Sequence, residues 1–329
     1  MSWRIGIIGG AGYIGFSLAK HLAHAFNVKI IDIKAPKIMF ENFSFQQCDI
    51  RDYKKVEKAL RDVDLVIHTA IVQIPLINEQ KKLGYEVNVI GTQNVCKAVE
   101  ENFRVRGLIL AGSWHTIGER QLKGVIDEEF GFRPDKVEDR ARLYALSKMA
   151  QEATVRFYDE TSDKIYGIIR MGTVLGEDMP EKTAANMFIT RGVKGESVTP
   201  YEHSMHRPML YVDLEDVCRA YEIFARKIIT GQLEKMGNSL SHIVNVYYPK
   251  PITVLELAKI VRDAIVRHTD GKISPEIKIV NQGKPVLFTE EDKNKIKIDI
   301  TKAAKLLGLE RLTSPMESVE KIVKNRLVK

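Results

Sequence analysis

The sequence predicts an α/β fold, a doubly wound parallel sheet followed by a smaller C-terminal α+β region, and three observations predict it. The first half alternates short apolar runs with stretches of helical period, the signature of βαβ units whose sheet is covered on both faces. A glycine-rich turn, "IIGGAGYIG", joins the first apolar run to the first helical stretch. Beyond residue 172 the rhythm weakens, and Pro180, Pro200, Pro208 and "RGVKGE" break the chain into shorter pieces.

In order, "WRIGIIG" reads as a strand, 13–25 as a helix, "VKIIDI" as a strand and 53–61 as a helix. "VDLVIHTA" is the next strand, 85–101 a helix, "VRGLILAGS" a strand and 139–160 a long amphipathic helix leading to the buried strand "IYGIIRMG". Residues 177–208 read as irregular. "MLYV" is a strand before helix 213–229, "HIVNVYY" a further strand, and 253–267 a helix. After a polar stretch at 281–295 come "IKID" and two terminal helices, 301–307 and 315–326. This divides the chain into a Rossmann-type dinucleotide-binding domain over 1–172, with segments returning near 208–228 and 242–248, and a substrate-binding domain made of 173–207 and 249–329.

Composition narrows the class. With 329 residues, 44% of them apolar, the chain is long enough to bury a large core. Its longest apolar runs, such as "LVIHTAIVQIPLI", are interrupted well short of a membrane span, and no basic segment followed by an apolar run opens the chain. A cytoplasmic protein with no removed leader and no membrane partner is expected. Cys48, Cys96 and Cys218 lie far apart at no metal-ligand spacing, so neither a disulfide framework nor a metal site is expected. Residues 250–329 hold 17 Lys and Arg against 11 Asp and Glu, but no aromatics interleave with that basicity. The reading is a solvated basic surface, not a nucleic-acid interface.

Gly9, Gly12 and Gly15 follow a strand and open a helix, where glycine permits a tight turn and close approach of a pyrophosphate to free helix N–H groups. Asp32 ends the second strand, placed to accept hydrogen bonds from ribose hydroxyls and to repel a 2′-phosphate. That favours NAD, with Lys34 leaving NADP as the alternative. In "LYALSK", Tyr144 and Lys148 stand four apart on the long helix and project from one face. A phenol titrates near pH 10, so using it as a base at neutral pH requires stabilising the phenolate, at about 1.4 kcal/mol per unit. A neighbouring ammonium does this. Joined to a dinucleotide fold and to an upstream serine, Ser113, the pair reads as a proton-transfer site for hydride chemistry.

With these motifs the chain resembles the extended short-chain dehydrogenase/reductase family, the group of UDP-galactose 4-epimerase and other nucleotide-sugar enzymes. "CDIRD", "NVIGTQNV", "YALSK", "RPMLYVDLEDV", "NVYYPKPITVLELA" and "DITKAAKLLG" match family blocks in order along essentially the whole chain. The resemblance implies that Tyr13 and Ile14 cover the pyrophosphate, Asp32 holds the adenosine ribose, Asp49 and Ile50 flank the adenine, and Thr69, Ala70 and Ile71 line the cofactor cleft. Asn88 falls in the same cofactor-site set, for site architecture. It also implies that Ser113 bonds the reacting hydroxyl, that Tyr144 is the acid/base, and that Lys148 binds the nicotinamide ribose and depresses the Tyr144 pKa. By the same resemblance, helices 85–101 and 141–160 pair across a homodimer.

The chain departs from the family at particular places. The 4,6-dehydratases carry an Asp and a Glu after the catalytic hydroxyl residue, where this chain has Trp114 and His115, so dehydration is disfavoured. "SWHTIG" is closer to uronate dehydrogenases, which implies a substrate contact for His115. Thr173 replaces the family's Asn after the sixth strand, and Arg207 matches the arginine that clamps a substrate diphosphate. Pro208 and Tyr211 replace an Asp and a His of that block, and only Lys284 stands near the place of the late nucleotide-gripping arginine. Three readings follow: an NAD-dependent nucleotide-sugar epimerase, a dehydrogenase of a sugar, uronate or other secondary alcohol, and a dinucleotide-sensing regulator without catalysis. The regulator is disfavoured by the intact Tyr and Lys pair.

Overall fold

The computed structural model describes residues 3–328. The chain forms two compact units: residues up to Gly118, Gly131–Arg170 and Cys218–Asn245 in the first, and Glu119–Phe130, Met171–Val217 and the residues from Val246 onward in the second. Apart from shifts of two or three residues at 171–172 and 246–248, two stretches are divided differently from the sequence reading. Residues 119–130 join the second unit, where Gly124–Ile126 pairs in parallel with Ile296–Ile298. Residues 208–217 stay there as well, because Tyr211–Asp213 pairs in parallel with Thr173–Leu175.

Among the described residues the sheet of the first unit has seven strands: β1 (Arg4–Ile8), β2 (Asn27–Asp32), β3 (Phe43–Gln47), β4 (Leu65–His68), β5 (Gly107–Ser113), β6 (Ile165–Met171) and β7 (Ile243–Val246). Their spatial order is β7-β6-β5-β4-β1-β2-β3. β1 runs parallel to β2 and β4, β2 to β3, and β4 to β5. The order reverses between β1 and β4, so the loops after these two strands diverge and leave a crevice at their carboxyl ends.

One face of the sheet packs on helices α2 (Tyr53–Leu60), α3 (Thr92–Glu101) and α4 (Arg142–Thr161) through a core that includes Ile8, Val66, Leu110, Val95, Val99, Val155 and Ile168. Alternate residues point to the other face, as the period of a strand requires. There Phe224 and Ile228 lie against Gly167 and Gly107, where a Cβ would meet them at 2.5 and 3.0 Å. Strand β3 escapes the sequence reading because "FSFQQ" is an edge strand, half polar and largely solvated.

The helix read over 85–101 is interrupted. A wider π turn, Glu86–Gly91, precedes α3 and carries Asn88 into the interior. Such insertions in a helix recur at functional sites.

In the second unit, helices Ala184–Gly192, Val254–His268 and Pro315–Val328 pack together. The first of these lies inside the stretch read as irregular; Thr183 caps it by accepting from the Asn186 N–H at 3.3 Å. Thr253 and Glu256 close a reciprocal capping box on the second. Arg326 on the third donates to Asn186 Oδ1 and Thr190 Oγ1, each at 2.8 Å. Among the described residues, no helix is long and apolar enough to cross a membrane.

Candidate active site

The three glycines of the first turn do different jobs. Gly9 has φ +78°, and a Cβ there would lie 2.5 Å from the Ala70 nitrogen, so the turn closes only with glycine. A Cβ on Gly15 would lie 2.2 Å from the Gly9 carbonyl and 2.8 Å from Thr69 Oγ1. Gly12 is different: its Cβ would meet only the Gly9 oxygen, at 3.3 Å. It is the N-cap of helix α1 (Tyr13–Leu22) and makes no side-chain capping bond. The first-turn N–H groups therefore face outward with a positive dipole end behind them, beside the half-buried Tyr13 and Ile14.

Asp32 holds this turn from the end of β2. Its Oδ2 accepts from the Ala11 N–H at 3.0 Å and its Oδ1 from the Lys34 N–H at 3.2 Å. Thr69 closes the other side, donating from Oγ1 to the Ile8 carbonyl at 2.8 Å, with Ala70 and Ile71 half-buried after it. Asp49 opens on a cleft of about 380 Å³ shared with Arg51, Asp52, Lys55, Glu86 and Ile90. Hydrogen bonds from Arg51 hold its carboxyl below the usual range. The Ile50 side chain is buried against Gly91, and its carbonyl accepts from Asn94 Nδ2 at 2.8 Å.

At the carboxyl end of β5 the chain turns through Trp114–Ile117, which buries Trp114 completely. Ser113 Oγ sits 3.2 Å from His115 Nδ1 and accepts from the His115 backbone N–H at 3.3 Å. Tyr144, on α4, hydrogen-bonds Ser113, and its ring meets the His115 ring edge-on at 5.7 Å. One turn on, Lys148 is 4% exposed and donates from Nζ to the Ala111 carbonyl at 2.7 Å. Ser113, His115, Tyr144 and Lys148 thus converge on the end of one strand.

Burial raises the Tyr144 pKa, and a hydrogen bond from Ser113 opposes this. Lys148 is itself pulled down to about 7 by burial, with Glu152 acting in the opposite sense.

Behind this row lies a polar layer that sequence reasoning missed. Asn88, placed in the cofactor set by resemblance, is fully buried: its Oδ1 accepts from the Val72 N–H at 2.7 Å, and its Nδ2 donates to the Val72 carbonyl and to Ser147 Oγ. Asn88 is therefore a brace between the loop after β4 and α4. Thr92 Oγ1 donates to the Asn88 carbonyl and accepts from Gln151 Nε2, each at 2.8 Å. His68 Nε2 lies 2.9 Å from the same oxygen, and burial drives the His68 pKa down to about 3, so this imidazole is neutral. Glu152 and Arg170 form a doubly bonded ion pair, both almost wholly buried. The signals for this layer were polar residues inside apolar runs, His68 in "LVIHTA" and Arg170 in "IYGIIRMG".

Thr173 and Arg207 belong to the second unit. Thr173 donates its N–H to the Leu210 carbonyl at 2.7 Å, and Arg207 is buried with Nε 3.1 Å from Met209 Sδ.

Comparison with known proteins supports the fold and gives the family. UDP-glucuronic acid decarboxylase 2 of Arabidopsis thaliana is 24% identical over 98% of this chain and 68% of its own. Among solved structures, MoeE5 in complex with UDP-glucuronic acid and NAD superposes with a TM-score of 0.78 at 19% identity, covering 99% of this chain and 100% of its own. A mutant of the UDP-glucuronic acid 4-epimerase of Bacillus cereus, in complex with NAD and a fluorinated UDP-sugar, gives 0.76 at 19% identity over 98% of this chain and 99% of its own. Residues 5–237 match the model of the NAD dependent epimerase/dehydratase family, and the chain belongs to that family, with NAD as its cofactor.

Proposed function

We propose that the protein is a nucleotide-sugar epimerase acting by transient oxidation of one sugar carbon. The observation that carries this reading is the convergence of Ser113, Tyr144 and Lys148 at the end of β5. NAD, when bound, supplies the hydride acceptor and later the hydride donor. Tyr144 takes the proton of the reacting hydroxyl, and Ser113 hydrogen-bonds the same oxygen. Lys148, held by the Ala111 carbonyl, binds the nicotinamide ribose and adds positive charge beside the phenolate. The keto sugar turns over in the site, and Tyr144 returns the proton once the opposite face is reduced. Arg207 is proposed to clamp the substrate diphosphate and Thr173 to line its sugar. Exposed Tyr85, Ile90, Leu146 and Phe157 on the helices expected to pair across a homodimer support that assembly.

The reading is tested by offering UDP-hexoses, UDP-uronates and free sugars with NAD. An isomeric product without NADH is expected, and accumulating NADH would contradict it. One observation favours a dehydrogenase as the second reading: His115 stands against Ser113, matching the uronate dehydrogenase wording of "SWHTIG".

Two further outcomes are expected. Gly12→Ala is expected to keep the fold within about 1 kcal/mol of the parent while weakening NAD at least tenfold, because the added methyl points to the open side. Gly15→Ala is expected to lower the melting temperature as well, since its methyl meets backbone. Calorimetry and NAD titration separate the two. Lys148→Met is expected to be inactive yet more stable than the parent at pH 6, by about 1–2 kcal/mol. The unfolded lysine keeps its proton to about pH 10.4, whereas the folded one loses it near 7. Between these values the unfolded state binds more protons, so raising the pH favours the folded parent. The stability gap should close as pH rises from 7 toward 10, and thermal melts across that range check it.

A further inference from the structure

We infer that His115 sets the polarity of Ser113, deciding whether this hydroxyl is free to donate to the reacting oxygen; this rests on the proposed reading of Ser113 and Tyr144 as the reacting pair. A serine hydroxyl has one proton and two lone pairs. One lone pair accepts from the His115 backbone N–H. What remains, one proton and one lone pair, is shared between His115 Nδ1 at 3.2 Å and the Tyr144 side of the site. When Nδ1 is bare it takes the Ser113 proton, and the free lone pair accepts from the Tyr144 phenol. When Nδ1 carries a proton it takes the lone pair, and Ser113 donates toward an alcohol or a ketone oxygen. The one proton of the alcohol goes to Tyr144, so alcohol and ketone both need the second state, and the bare imidazole ties Ser113 to Tyr144 and holds the pair out of the reaction.

His115 is half-buried. The elements packed on its turn are α4, which presents Tyr144 and Lys148, and the turn Pro134–Lys136, which with its flanking residue presents Arg133, Asp135 and Lys136. Lys148, Arg133 and Lys136 favour the neutral imidazole, and Asp135 favours the charged one. His115 acts through Ser113 and is a positioning residue.

The test uses the whole chain labelled with ¹⁵N-histidine, with the His115 signals taken as those lost in His115→Gln. The Nδ1 signal is expected to titrate, and Ser113→Ala is expected to move its midpoint by at least about half a pH unit. An Nδ1 signal indifferent to Ser113→Ala overturns the inference. In parallel, turnover of UDP-glucuronate and UDP-hexoses is followed against pH. His115→Asn, which cannot titrate, is expected to lose one limb of the pH profile and about tenfold in kcat, with KM changed less than about twofold. An unchanged profile overturns the inference too. If none of these sugars is turned over, the proposed function fails, and the Nδ1 signal alone decides the role of His115.

Discussion

Tyr144→Phe is expected to lower kcat by about 10²–10⁴-fold while leaving the fold and NAD affinity close to the parent. The change deletes one oxygen and keeps the ring, so the edge-on contact with His115 at 5.7 Å survives. Burial holds the phenol in its protonated form, so no charge is removed from the interior. What is lost is the group that carries the proton of the reacting hydroxyl, and Ser113 alone cannot replace it, because a serine hydroxyl keeps its one proton near neutral pH and serves only as a hydrogen-bond partner. Steady-state kinetics beside a thermal melt measure the effect. A variant retaining parental turnover would contradict the role of Tyr144 as the acid/base.

Arg170→Met is expected to destabilise the protein by about 3–5 kcal/mol, because it leaves the Glu152 carboxylate buried and unpaired. The pair is held at 2.6 Å between Arg170 Nη2 and Glu152 Oε1, with both Nε contacts near 3.1–3.2 Å. Glu152 also lies one helical turn beyond Lys148 and favours its charged form, so the loss reaches the site as well as the core. Replacing both partners, Glu152→Leu with Arg170→Met, is expected to recover most of that stability, since apolar side chains carry no uncompensated charge. Denaturant melts of the single and double variants decide this. Equal losses in both would mean that the arginine matters for its packing alone.

These two residues mark the boundary of what the amino-acid sequence discloses. The strands β1, β2, β4, β5 and β6 are apolar and buried on both faces, so their pattern was plain, whereas β3 mixes polar and apolar residues at a solvated edge. Tyr144 and Lys148 were legible because they share a helix and their spacing alone brings them to one face. Ser113 came from position at the end of a strand. The ties made by Asn88, Thr92, Gln151 and His68 were not legible: they join residues 24 and 59 positions apart, and a polar residue in an apolar run does not name its partner. The π turn that brings Asn88 inward likewise has no simple period to reveal it.

The claim at the centre of this account is that one sugar carbon loses its hydride to NAD and receives the same hydride back. It is tested most directly with UDP-glucuronate deuterated at C4, incubated with the protein and NAD in ordinary water and analysed by mass spectrometry and NMR. Retention of the deuterium at C4 of the isomeric product is the predicted result. An isomer in which that deuterium has been exchanged for solvent hydrogen would contradict the account.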